Sequence, residues 1–149
     1  MGKLYKEVGK ESTIDKNGHE LPGVDTVLVV DDEDNWCYVT KILLQDTGVV
    51  KRVLTANNGL EALKKLQTLI ANGEKMPELI ILDIKMPVMD GFGFLENLTK
   101  MQEIDLSHTK IYITTSSFLF KDKERAKLYP ISGYITKPLT EEIVRDILG

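Results

Sequence analysis

Apolar residues along the chain fall into two patterns that alternate. Thr26 to Val30 is a short β-branched run, Val50 to Ala56 a second and Leu79 to Leu82 a wholly apolar third, followed by Ile111 to Thr115 and Gly133 to Thr136. Runs of this length bounded by turn residues read as strands, and the wholly apolar one as a strand covered on both faces. Between them, apolar residues recur at three- and four-residue spacing. Trp36, Val39, Thr40, Leu43 and Leu44 precede Gly48, while Leu60, Leu63, Leu66 and Leu69 lie between the Asn57-Asn58-Gly59 turn and Asn72-Gly73. Phe94, Leu95 and Leu98 follow Pro87 and Gly91, and further helical segments run around Lys121 to Leu128 and from Leu139 to Leu148. Five strands alternating with five helices through short connections predict an α/β fold, a doubly wound five-stranded parallel sheet with helices on both faces.

Residues 1–24 keep no sustained period and read as a flexible N-terminal tail, leaving 25–149 as one domain. The chain has 149 residues, 42% of them hydrophobic and 28% charged, which suffices for one core without disulfide or metal staples. Cys37 is the single cysteine, so no intrachain disulfide can form. With no apolar run of about 18 residues and no secretory leader pattern, a cytoplasmic protein without membrane association is expected. A net charge of −4 with both signs interspersed gives no footprint for nucleic acid.

The chemistry sits where the strands end. Asp31 and Asp32 follow the first strand, Asp83 the third, Thr115 closes the fourth and Lys137 follows the fifth. In an open parallel sheet the carboxyl ends of the strands share one rim, so these groups should converge. An Asp-Asp pair alone can be a solvated helix start, but five such groups at strand ends make a common pocket the better reading. Crowded carboxylates raise one another's pKa unless a cation neutralises them, and an all-oxygen donor set suits Mg²⁺ (or Mn²⁺). Lys137 and the Thr115 hydroxyl would meet incoming phosphoryl oxygens. Asp83, at the end of the most apolar strand, is the best candidate for a carboxylate nucleophile that becomes an acyl phosphate.

Taken with their neighbours, these residues are recognisable. Val30-Asp31-Asp32, then Asp83-Ile84-Lys85-Met86-Pro87-Val88-Met89-Asp90-Gly91, then Thr115-Ser116, then Lys137-Pro138 resemble the receiver domain of response regulators in order and spacing, over about 125 residues from Asp25 to Gly149. The resemblance implies a flavodoxin-like, CheY-like sheet with strand order 2-1-3-4-5. It further implies that Asp83 accepts a phosphoryl group from a phosphohistidine on a histidine kinase or histidine phosphotransfer protein, and later loses it to water by self-catalysis. Mg²⁺ would be held by Asp31, Asp32, Asp83 and the backbone carbonyl of Lys85, with Thr115 and Lys137 on the phosphoryl oxygens and a Lys137-Pro138 cis peptide. Movement of Thr115 would let Tyr134 turn inward, and a downstream target protein would read the face made by the fourth helix, fifth strand and closing helix. Lys85 and Ser117, each two residues past a site residue, would modulate the phosphate's lifetime.

Other readings remain at single positions. Tyr134 can be a plain half-buried strand aromatic. Phe118, Leu119 and Phe120 can form a partner contact, although core packing is expected for at least two of them. Burial is expected for Trp36 and Cys37, with Trp36 near enough to the acids to report metal binding. The stretch Thr68 to Pro77 looks like an insertion that leaves the site intact. The functional expectation is a stand-alone response regulator of a two-component phosphorelay. A metal-dependent aspartyl-phosphate phosphohydrolase would need an acid where Lys85 stands, and a phosphorylation-independent scaffold would not need Asp83, Thr115 and Lys137.

Overall fold

The computed structural model of the chain describes residues 12–15, 18, 20–116 and 119–149. Its centre is a parallel sheet of β3 (Val24–Val30), β4 (Val50–Ala56), β5 (Leu79–Asp83), β6 (Lys110–Thr115) and β7 (Gly133–Thr136), in the order β4-β3-β5-β6-β7. Counted within this sheet alone, that is the expected 2-1-3-4-5. The reversal of direction beside β3 opens a crevice at the carboxyl edge between β3 and β5.

The continuous apolar runs divide by pleat alternation into two cores. Leu28 and Val30, Ile80 and Leu82, Ile111 and Ile113 face α2 (Gly59–Ala71), α3 (Gly91–Lys100) and α4 (Phe120–Ala126). Val27 and Val29, Leu79 and Ile81, and Ile135 face α1 (Asp34–Asp46) and α5 (Glu141–Leu148). Asp31, Asp83 and Lys137 each stand two residues beyond a member of this second set, so continued alternation sends all three toward the α1/α5 side of the rim.

Local chemistry sets the helix ends. The Asn58, Asp90 and Thr140 side chains accept from the backbone N–H of Glu61, Gly93 and Ile143, capping α2, α3 and α5. At the end of α2, Gly73 takes φ +76° while its own N–H and that of Glu74 donate to the carbonyls of Ile70 and Leu69. The stretch expected as an insertion from Thr68 thus begins as helix, and its remainder borders a groove of about 650 Å³ with Asp25, Met76, Glu78 and Lys110. Asp25 and Lys110 belong to the amino ends of their strands, so this groove is on the opposite edge from the acids.

Several expectations are corrected. Part of the expected tail is ordered: β1 (Ser12–Ile14) and β2 (Glu20–Pro22) pair antiparallel, and Leu21 packs into the α1/α5 core. Strands of three residues carrying one core side chain are too short to show a period. The first core strand also begins at buried Val24, before the expected boundary. On α1 the buried stripe is Cys37, Thr40 and Leu44, while Val39 is half exposed, and Leu60 of α2 likewise turns outward. The expected core packing of at least two among Phe118, Leu119 and Phe120 is overturned, for Leu119 and Phe120 are 46% and 79% exposed. Phe118 lies outside the described residues.

Candidate functional site

The site is assembled by strand ends that are adjacent in the sheet. Backbone pairing continues past the last residue of β3, where Asp31 N–H donates to the Ala56 carbonyl at 3.0 Å. This fixes the Asp31 main chain on the sheet edge, and the residue is fully buried. Its Oδ1 accepts from Glu33 N–H at 2.9 Å and its Oδ2 from Lys137 Nζ at 2.8 Å. Asp83 ends β5 and is buried, whereas Asp32 is exposed at the mouth. One carboxylate oxygen from each of Asp31, Asp32 and Asp83 lies within 4.8 Å of the others.

Lys137 enters from the far side of the sheet. Its backbone N–H donates to the Thr115 carbonyl at 3.0 Å, and its peptide bond to Pro138 is cis. Nζ stands 3.6 Å from Glu33 Oε1 and 4.0 Å from Asp83 Oδ1, as well as on Asp31. Thr115 is buried at the end of β6 and pairs with Thr136, so it stands on the same rim. Gly91 seals the floor behind Asp83, because a β-carbon there would be 2.5 Å from the Asp83 carbonyl oxygen.

Electrostatics follow from burial of like charges. Burial, reinforced by the charges of Asp31 and Asp32 and opposed by Lys137, pushes the Asp83 carboxyl up to about 6. Burial also raises Asp31, against the Lys137 hydrogen bond. For Lys137, burial acts downward, but the hydrogen bond to Asp31 and the charges of Asp83, Asp31 and Glu33 outweigh it and keep the ammonium protonated. Burial pushes the Cys37 thiol up to about 11, so this cysteine is an inert core side chain. Carboxylates outnumber the ammonium, and the surplus attracts a cation.

The donor set fits a hard divalent ion. Asp31, Asp32 and Asp83 offer carboxylate oxygens within 4.8 Å of one another, the charged all-oxygen set that Mg²⁺ takes in preference to soft metals. Exposed Asp32 leaves one side open to water and substrate.

Asp31, Asp32, Asp83 and Lys137 are thus brought into one cluster, with Thr115 beside it on the rim. Lys85 is exposed in the loop after β5, and Tyr134 on β7 is 40% exposed. Ser117 lies outside the described residues. Sequence reasoning missed Glu33 as a neighbour of the ammonium, and missed Asn57 in the β4–α2 turn, whose Nδ2 donates at 2.9 Å to Oδ1 of Asp34, the first residue of α1. Trp36, expected near the acids, is indeed there but half-buried rather than buried, and its contact with Lys137 was not foreseen: the ring centre is 4.7 Å from Lys137 Nζ. The run of acids from Asp31 to Asp34 is the only signal that could have pointed to Glu33.

A family model described as the response regulator receiver domain matches residues 27–148. The chain is 31% identical over 138 residues to the sensor histidine kinase CheAY of Helicobacter pylori, an alignment covering 93% of this chain and 16% of that protein. This chain therefore spans under a fifth of that relative's length. It is 32% identical over 116 residues to protein PilH of Pseudomonas aeruginosa, covering 78% of this chain and 88% of that one. The solved structure of chemotaxis protein CheY4 of Vibrio cholerae, crystallised at low pH, aligns with a TM-score of 0.70 at 30% identity, over 85% of this chain and 97% of that one. Among the described residues, no helix is long and apolar enough to cross a membrane.

Proposed function

The chain belongs to the response regulator receiver family, and from that premise we propose that Asp83 is its phosphoacceptor, charged by a phosphohistidine on a histidine kinase or histidine phosphotransfer protein. One observation carries the reading: Lys137, far away in sequence, places its ammonium 2.8 Å from Asp31 and 4.0 Å from Asp83, making a cationic wall beside buried acids.

In the proposed reaction an Asp83 carboxylate oxygen attacks phosphorus. The new P–O bond forms as the P–N bond breaks, and the imidazole leaves with the electron pair and takes a proton from solvent. Lys137 Nζ and the Thr115 hydroxyl donate to the phosphoryl oxygens. Asp31, Asp32, Asp83 and the Lys85 carbonyl would hold Mg²⁺ or Mn²⁺, which when bound neutralises the carboxylates and the phosphoryl oxygens. The exposed mouth at Asp32 admits the water that later hydrolyses the acyl phosphate, and Lys85 and Ser117 would govern its approach.

The modification adds a charge of about −2 on the rim. In this reading Thr115 is drawn to it, Tyr134 turns inward, and the face of α4, β7 and α5 changes shape for a target protein. Phe120, Leu128 and Tyr134, all exposed on α4, the turn after it and β7, support that choice of face. Nothing favours a phosphohydrolase, since exposed Lys85 stands where a second acid would be needed.

Intact-protein mass spectrometry after treatment with acetyl phosphate and Mg²⁺ tests the assignment. One phosphate adduct is expected on the parent and none on Asp83→Asn or Asp83→Ala. An adduct persisting on both variants would overturn it.

A further inference from the structure

The Lys137 ammonium is held from more sides than a role as phosphoryl contact requires. Three neighbours are carboxylates, of Asp31, Glu33 and Asp83, at 2.8, 3.6 and 4.0 Å. Each of these contacts changes when a cation or a phosphoryl group enters the site. The fourth neighbour does not: the Trp36 ring carries no net charge, and its attraction for the ammonium comes from the negative π face.

Trp36 lies in the first turn of α1, four residues after Asp32, and its body packs against the α1/α5 core. The ring therefore sits between the core and Lys137 Nζ, whose side chain is only 13% exposed. The indole N–H is buried and makes no hydrogen bond among the described residues. An indole placed for its N–H would have a partner for it, so the placement serves the ring face.

We propose that Trp36 is a positioning residue for Lys137, its ring face keeping the ammonium at the rim while Lys137 exchanges carboxylate partners for a phosphoryl oxygen. The proposal rests on the reading of Asp83 as phosphoacceptor. A flexible lysine freed from Asp31 and Glu33 can swing into water, and the ring restricts that search without competing for the charge. Trp36 itself touches no reacting atom.

The test uses the purified chain with acetyl phosphate and Mg²⁺. The phosphoryl group passes to an Asp83 oxygen as acetate leaves with the electron pair of the broken P–O bond, and mass spectrometry follows the initial rate. Trp36→Leu is expected to slow labelling by about 3- to 30-fold, the span of exposed to desolvated cation–π contacts. Trp36→Phe, which keeps a π face, is expected to recover most of the loss. In a Lys137→Met background Trp36→Leu should cost nothing further, an outcome that a merely structural role would not produce.

A second measurement does not depend on the leucine variant folding. Trp36 is the only tryptophan, so replacing Lys137 by Met should shift the emission of the metal-free protein by removing a charge from beside the ring. Labelling of Trp36→Leu at the parent rate, an equal further loss in the Lys137→Met background, or identical emission with and without Lys137 would each overturn the proposal. Absence of label on the parent would instead sink the phosphoacceptor reading, and the emission comparison would still decide whether ring and ammonium are in contact.

Discussion

Gly91 and Asp83 are in backbone contact: a β-carbon on Gly91 would stand 2.5 Å from the Asp83 carbonyl oxygen and 2.9 Å from Ile84 Cα. Both obstructing atoms are main chain at the end of a central strand and cannot rotate away. Gly91→Ala must push the start of α3 off β5, and a loss of about 1–3 kcal/mol in urea unfolding is expected, along with slower acceptance of phosphate. An unchanged urea midpoint would show that the helix start has slack.

Val88 has φ +70°, with Met89 N–H donating to the Pro87 carbonyl at 2.7 Å, and its side chain is exposed. A β-branched residue in this tight three-residue turn is strained, and no buried contact compensates. Val88→Gly should stabilise the fold by roughly 0.5–1 kcal/mol after the extra unfolded-state entropy of glycine is subtracted. A lower urea midpoint than the parent's would contradict this account.

Asp83, pushed up to about 6, binds its proton more tightly in the folded chain than in the unfolded one. Its contribution to stability is therefore fully present below about pH 4 and is lost as pH rises through about 6. With metal chelated, Asp83→Asn should be more stable than the parent by about 1–3 kcal/mol at pH 7, the gap closing toward pH 4. Urea titrations at both pH values decide it, and a gap independent of pH would mean that ionisation of Asp83 costs nothing.

The same proton competes with a cation. If Asp83 is a ligand, apparent Mg²⁺ affinity should fall about tenfold between pH 7 and pH 5, and calorimetry in that window measures it. A flat profile would remove Asp83 from the ligand set.

Phe120 and Leu128 are 79% and 76% exposed, so their replacement by Ser should alter stability by no more than about 0.5 kcal/mol. Phosphate acceptance should persist in both variants. A large loss of stability would place these side chains in the core after all.

What could be read from sequence follows from length and periodicity. The five sheet strands were legible because runs such as Leu79 to Leu82 leave no alternative to burial on both faces, and with them came the rim positions of Asp31, Asp83, Thr115 and Lys137. The pairing of β1 with β2 was not, since Leu21 is their single core residue. On α1 a shift of one position separates buried Cys37 and Thr40 from exposed Tyr38 and Val39, finer than spacing resolves. The contacts of Lys137 with Glu33 and Trp36 depend on where long side chains end, which no linear pattern encodes.

The backbone link from Lys137 to Thr115 ties the lysine and the threonine to one rung of the ladder, for Thr115 also pairs with Thr136 in the preceding rung position. Displacing either residue strains its link to the other, so in the proposed switch the rim would move as a single lever instead of two independent fingers. Tyr134 rides on the same strand three residues earlier, which puts the fulcrum of that lever within reach of the outer surface.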